Sequence, residues 1–474
     1  MQQIIRTSLA IAVLALASCQ PYKRLNKAAG QVTRTEALRS AHVGISIYDP
    51  LKGQYLYEHQ GDKYFVPASN IKIPTCYAAM KYLGDSLVGL RYQLFNDMGI
   101  NVFPTGDPSF LHEDFVRQPV LDFLKSQPGA IYFSNSGWRS QPLGNGWSWN
   151  DYGSSYMAER SAFPIYGNTV KLKAGPYRVE RTGSGVSRLH MHVVSKPAFF
   201  KRYLDSIFVL PLGMAVQHSL QDTAAAAKTL RSFFVNRDIG SNRLSVIYGK
   251  EEFSETEIPF FTGNDSTAMA ILKADHGLDI RAGQLNDHSL HAGPAPHPQI
   301  HKLYSQPTDS LLKPMMHRSD NFFAEQSLLM VSNELLGIMS DAAVIDTLLK
   351  TDFRDLPQAP RWVDGSGLSR YNLFTPRDMV AILDKMQKEF GMNRIRTIFP
   401  TGGKGTLGSY YKTEEGFIFA KTGTLSGVVA LSGFLYTKRG RLLIFSVLVN
   451  NHQTSAALVR RSVERFLRSV RENY

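Results

Sequence analysis

Ser69 and Lys72 stand three positions apart in the run Ser69-Asn70-Ile71-Lys72. On a helix that spacing puts an amine on the same face as a hydroxyl, about one turn away. A serine hydroxyl is a poor nucleophile at neutral pH and needs a base within hydrogen-bond reach. The amine must be neutral to act, a state favoured by burial and by a second cation such as Lys421 across a cleft. Two further motifs follow in order, Ser319-Asp320-Asn321 and Lys421-Thr422-Gly423. Ser319 offers a hydroxyl that relays a proton toward a leaving group, and Asn321 an amide that holds a substrate peptide bond. Both point the same way if the backbone between them is extended. Lys421, Thr422 and Thr424 on a strand edge present a cation and hydroxyls to a substrate carboxylate, while Gly423 leaves space for the substrate backbone. The N–H groups of Ser69 and Thr424 complete an oxyanion hole in this reading. Together the three motifs describe serine acyl transfer.

Each motif alone is weak. Ser-x-x-Lys recurs at Ser310/Lys313 and Ser409/Lys412, and Ser-x-Asn at Ser148/Asn150; only Lys-Ser/Thr-Gly occurs once. The surrounding elements therefore carry weight. His42 to Asp49 and Gln54 to Glu58, joined by a turn at Pro50 to Gly53, read as a β-hairpin that leads into Ser69. Asn70 to Leu83 has apolar residues at helical spacing, with Ser69 at its N-terminus and available as its N-cap. Val428 to Tyr436 and Arg441 to Asn450 read as a second hairpin, and Ser455 to Glu472 as an amphipathic helix with Leu458, Val459, Val463, Phe466, Leu467 and Val470 on one stripe. Strands from both chain ends predict one sheet covered by helices on both faces. Between them the pattern turns to short strands, for instance Leu189 to Val194 and Leu244 to Tyr248, and predicts an inserted β-rich region whose downstream junction is the Pro-rich stretch Asn286 to His301.

At 474 residues the chain is long enough for two or three domains, and 43% hydrophobic with 20% charged residues is an ordinary globular composition. Arg6, the apolar stretch Leu9 to Ala17 and then Ser18-Cys19 read as a secretory leader too short to span a bilayer stably. Leu16-Ala17-Ser18-Cys19 resembles a bacterial lipobox, so Cys19 is the expected lipidated N-terminus. Cys76 then has no disulfide partner, and its apolar neighbours make it a core residue rather than a nucleophile. The formal charge of +13 suits anionic envelope polymers, and no nucleic-acid motif is visible. His190, His192, His288, His291, His297 and His301 lack a metal-ligand spacing, so no metal and no cofactor is expected.

With these motifs the chain resembles the penicillin-binding, serine DD-peptidase family. The 247 positions from Lys72 to Ser319 are too many for a compact β-lactamase. They are similar to the spacing in the D-alanyl-D-alanine carboxypeptidase/endopeptidase group, peptidase family S13, typified by penicillin-binding protein 4, which carries large insertions there. Gly106-Asp107-Pro108, Gly146 to Asp151, Asp364 to Arg370 and Gly405-Thr406-Leu407 match that group as well. Lys404 departs from it, standing where the family usually has an acidic residue, and puts substrate detail in question.

The resemblance implies an α/β (α+β) fold, a β-lactamase/transpeptidase-like domain with an antiparallel sheet flanked by helices. Its expected parts are a leader at 1–18, a catalytic domain from 19–90 and 290–474, and a β-rich insertion at 91–289 with up to two nested subdomains. It implies that Asp151 and Arg370 line the cleft and contact a peptidoglycan stem peptide and that β-lactams acylate Ser69; the lipobox-like run adds the expectation of a periplasm-facing lipoprotein, with the outer membrane as the expected site. The residues also leave open a β-lactam- or ester-hydrolysing enzyme of the same fold, and a non-catalytic wall-binding protein.

Overall fold

Strands from the two ends of the chain meet in one antiparallel sheet. In this computed structural model, which describes residues 25–30, 32–95, 99–181, 187–204, 232–252, 255–284 and 299–474, β1 (His42–Asp49) and β2 (Gln54–His59) form the N-terminal hairpin. At the C-terminal end stand β13 (Ile418–Leu425), β14 (Val428–Tyr436) and β15 (Leu442–Asn450). The order is β13-β14-β15-β1-β2, every pairing antiparallel. Buried Ser432 and Ser446 face each other across β14 and β15 and share a 2.8 Å hydroxyl bond.

Both faces of this sheet are dry, which explains why β14 is buried at every position but its last. Alternation sends Ile45, Ile47, Leu431, Phe445 and Val447 to one face. There they meet α8 (Ala456–Asn473), whose Val459, Val463, Phe466, Leu467 and Val470 fall at helical spacing. Ser455 caps α8 by accepting from Leu458 N–H. Phe434 and Ile444 face the other way, into a core built with α1 (Lys72–Tyr82), α5 (Asn321–Leu336) and α7 (Pro376–Ile398). Cys76 lies fully buried in that core, where desolvation pushes its thiol pKa up.

A second five-stranded sheet has the order β11-β5-β4-β3-β12. Its members are β3 (Ser86–Leu94), β4 (Gly99–Pro104), β5 (Ala130–Phe133), β11 (Ile280–Ala282) and β12 (His301–Pro307). The pairing of β12 with β3 draws in chain from beyond both ends of 91–289. Beside it are β10-β6-β7 and β8-β9, formed by β6 (Thr169–Arg181), β7 (Ser187–Lys196), β8 (Ser232–Arg237), β9 (Leu244–Glu252) and β10 (Glu255–Pro259). The remaining main helices are α2 (Pro119–Lys125), α3 (Ser266–His276), α4 (Thr308–His317) and α6 (Asp341–Lys350). Cys19, His288, His291, His297 and most of the Asn286 to His301 junction lie outside the described residues.

Two local expectations change. Ser69 does not cap α1: it sits inside a 3₁₀ turn, Ala68–Ile71, and α1 begins at Lys72. The backbone from Ser319 to Asn321 is not extended throughout. Ser319 has φ +63°, Asp320 is extended, and Asn321 opens α5.

Candidate active site

The end of β13, the 3₁₀ turn that carries Ser69, the start of α5 and the loop Asp364 to Arg370 converge on a groove of about 820 Å³. Ser69, Asp151, Ser319, Asn321, Arg370 and Thr424 all line it. Asp320 explains how the second motif is aimed. Its carboxylate accepts from Phe323 N–H at 3.0 Å and so caps α5, fixing Asn321 as the first helical residue. Ser319 is left in the left-handed region, a conformation that costs a non-glycine residue about 1–3 kcal/mol and persists where the surroundings impose it.

Lys72 is fully buried. Its Nζ donates to Asn321 Oδ1 at 2.6 Å and to the Ser366 carbonyl at 2.7 Å, and lies 3.1 Å from Ser69 Oγ. A neutral amine has two N–H donors and one lone pair. The two carbonyl oxygens take both donors, so the lone pair is left for the Ser69 hydroxyl proton. Burial lowers the Lys72 pKa to about 8, against the opposing pull of Asp364, Glu325 and Asp320. Burial thus brings the neutral state a general base requires within reach of ordinary pH.

Three backbone devices hold this geometry. Asn70 Nδ2 donates to the Lys421 carbonyl at 2.9 Å, locking the turn against β13. Gly423 lies so close that an added Cβ would stand 2.7 Å from the Pro67 carbonyl and 3.1 Å from Ser69 N. Gly367, at φ +87°, would place its Cβ 2.0 Å from the Ala68 carbonyl, so only glycine lets the Asp364 loop lie against the nucleophile. The loop itself is organised by Asp364, whose carboxylate accepts from Gly367 N, Ser369 N, Asn372 Nδ2 and Trp147 Nε1.

Lys421 is also fully buried rather than displayed at the strand edge. Its Nζ donates to Ser319 Oγ at 2.8 Å and to the Thr422 carbonyl at 2.7 Å. Desolvation, with Lys72 as a second cation, holds its pKa well below the ordinary value. Side-chain alternation explains the placement: Lys421 faces Ser319, while Thr422 points toward α8, into a small recess lined by Val429, Leu431 and Arg460. Ala420 N–H donates outward to the Pro400 carbonyl. The same alternation turns the Thr422 and Thr424 N–H groups to the free edge of β13, the side on which Ser69 lies.

Arg370 Nη2 donates to the Ser426 carbonyl at 3.1 Å on the groove wall. Lys404 is not on that wall; it pairs with Glu415 at 3.3 Å, both side chains more than half exposed. Among the described residues, no group of three His, Cys, Asp or Glu side chains is gathered to hold a metal.

Sequence reasoning missed Glu325. It lies four residues after Asn321, one turn along α5 and fully buried. Glu325 Oε1 accepts from Ser366 N–H at 2.7 Å, Oε2 takes Arg160 Nη1 at 3.2 Å, and Arg160 also reaches Asp341 at 2.7 Å. A carboxylate one turn after Asn321, on the same helix face, was the available sign.

A family model described as the D-Ala-D-Ala carboxypeptidase 3 (S13) family matches residues 25–187 and 211–469. The chain is 26% identical over 453 residues to a D-alanyl-D-alanine carboxypeptidase of Actinomadura sp., covering 89% of this chain and 80% of that one. It is 24% identical over 442 residues to the D-alanyl-D-alanine carboxypeptidase DacB of Haemophilus influenzae, covering 87% and 86%. The solved structure of penicillin binding protein 4 from Haemophilus influenzae aligns at a TM-score of 0.67 and 21% identity, over 94% of this chain and 98% of that one. The same protein complexed with a β-lactam aligns at 0.61 and 19% identity, with the same coverage. These alignments carry the fold: a mixed helix and sheet architecture of the β-lactamase/transpeptidase kind.

Proposed function

The chain belongs to the D-Ala-D-Ala carboxypeptidase 3 (S13) family, and on that premise we propose that it is a penicillin-binding serine DD-peptidase acting on peptidoglycan stem peptides. The observation that carries the reading is the Lys72 amine, whose two carbonyl acceptors leave its lone pair for Ser69. Ser69 Oγ attacks the carbonyl of the penultimate D-Ala, and its proton passes to Lys72. Charge developing on the carbonyl oxygen is met by the N–H groups of Ser69 and Thr424. As the C–N bond breaks, Ser319 delivers a proton to the departing amine, which is D-Ala or a cross-link amine. Water then releases the shortened peptide from the acyl-enzyme. Asn321, Asp151 and Arg370 hold the stem peptide along the groove.

Incubation with benzylpenicillin tests this reading. A stoichiometric penicilloyl mass is expected on the peptide carrying Ser69, together with loss of D-Ala release from muropeptides. Muropeptide cleavage that continues with no adduct on that peptide would overturn it.

The proposal includes the catalytic and inserted parts at 19–90 with 290–474 and at 91–289, and a lipid anchor at Cys19 that faces the enzyme toward the wall. The anchor is supported by Leu16-Ala17-Ser18-Cys19 alone. A Cys19→Ala chain is expected in the soluble envelope fraction; its retention in membranes to the wild-type extent would remove the anchor from the proposal.

A further inference from the structure

The proposed reaction takes a substrate ending in a free carboxylate, and Lys421 is enclosed between Ser319 and the Thr422 carbonyl. Another cation stands at the edge of β13. Arg460, one turn into α8, donates from Nη2 to Thr424 Oγ1 at 2.6 Å. The same arginine lines the small recess that takes Thr422. Thr424 belongs to the groove wall that also carries Ser69. Arg460 therefore adjoins both Thr422 and Thr424 from the α8 side of the sheet.

The neighbouring arginines of α8 are engaged elsewhere. Arg461 pairs with Glu464 and lies over Tyr410, while Arg468 pairs with Glu414. Among the described residues no ion pair to a carboxylate is found for Arg460. Its bond also settles the hydroxyl's role. Because Thr424 Oγ1 accepts from the guanidinium, its own O–H proton remains to be donated. A guanidinium and a polarised hydroxyl side by side are the donors that a planar carboxylate accepts.

We propose that Arg460, acting with Thr424, is the cationic receptor for the free C-terminal carboxylate of the substrate and for the corresponding carboxylate of β-lactams. The inference rests on the DD-peptidase reading and adds a binding residue on the C-terminal helix. Arg370 lies two residues further along the wall, at the Ser426 carbonyl, and serves another part of the peptide.

The test compares a stem-peptide substrate ending in a free D-Ala carboxylate with its C-terminal amide, in wild type, Arg460→Ala, Arg460→Lys and Arg370→Ala. Wild type is expected to prefer the acid. Arg460→Ala is expected to lower kcat/KM for the acid by about ten- to a hundredfold, mainly through KM, and to leave the amide within about twofold. Arg460→Lys should restore part of the acid preference, and Arg370→Ala should keep the acid-to-amide ratio. Amide turnover reports on folding within the same measurement. Equal losses on acid and amide, an unchanged ratio in Arg460→Ala, or a collapse of the ratio in Arg370→Ala instead, each overturns the inference. Absence of a penicilloyl adduct and of turnover in wild type overturns the function beneath it.

Discussion

Replacing Lys72 by alanine is expected to slow acylation of Ser69 by benzylpenicillin by about 10²- to 10⁴-fold, the usual contribution of a positioned general base. The amine stands 3.1 Å from Ser69 Oγ, and its other two contacts are carbonyl oxygens that cannot take a proton at neutral pH. The wild-type rate should rise about tenfold per pH unit below the Lys72 pKa of about 8 and level off above it. The alanine variant should lose that limb. The measurement is the time course of penicilloyl mass between pH 6 and pH 10, and an alanine rate within a few-fold of wild type sinks the assignment.

The same burial has a thermodynamic sign. Lys72 binds its proton less readily in the folded chain than in the unfolded one, whose ordinary value is 10.5. Between about 8 and 10.5 the unfolded state therefore holds more protons, and stability rises with pH across that window. Below it the buried amine is a standing destabilisation, and Lys421, lowered for the same reason, adds in the same direction. Removing Lys72 relieves that cost but leaves the Asn321 and Ser366 oxygens without their donor, so urea unfolding of Lys72→Ala, measured beside the acylation rate, separates a lost base from a lost fold.

The two hairpins, α1 and α8 were legible because their signal is local. Alternation in β1, β14 and β15 and the spacing of Val459, Val463, Phe466 and Val470 depend on neighbours a few residues away. The convergence of Ser69, Ser319 and Lys421 was legible only as an ordered set of motifs. Their conformations were not. The positive φ of Ser319 follows from the Asp320 cap working against the packed start of α5, and the enclosure of Lys421 follows from which face of β13 meets Ser319. Arg460 and Arg160 were invisible for a simpler reason. An arginine reads as solvent-facing, whether in the helix pattern of α8 or in the irregular stretch around Arg160, and only the tertiary fold brings one to Thr424 and buries the other between Glu325 and Asp341. The pairing of β12 with β3 likewise joins segments more than two hundred residues apart, which no local period reports.

Glu325 is where stability and the pH of action meet, and two substitutions separate them. The carboxylate supports the Ser366 peptide from one side while Lys72 donates to its carbonyl from the other. Glu325→Ala leaves the buried Ser366 N–H without its acceptor and takes one of two carboxylates from Arg160, so a loss of about 3 kcal/mol is expected in urea unfolding. Glu325→Gln keeps an acceptor and the volume but removes the charge. Burial, reinforced by Asp364 and opposed by Arg160, raises the Glu325 pKa to about 7 from an ordinary 4.5. A raised carboxyl makes stability fall as pH climbs from about 4.5 to about 7, so Glu325→Gln should match wild type below that window, gain on it across the window and keep a constant advantage above pH 7. The charged groups facing Lys72 are Asp364, Glu325 and Asp320, which favour its ammonium form, with Lys421 as the nearby like charge. Taking away the Glu325 charge should therefore lower the Lys72 pKa and move the acidic limb of the acylation profile to lower pH. A limb that stays where wild type has it, in a glutamine variant of undiminished stability, would show that Glu325 shapes the fold and not the base.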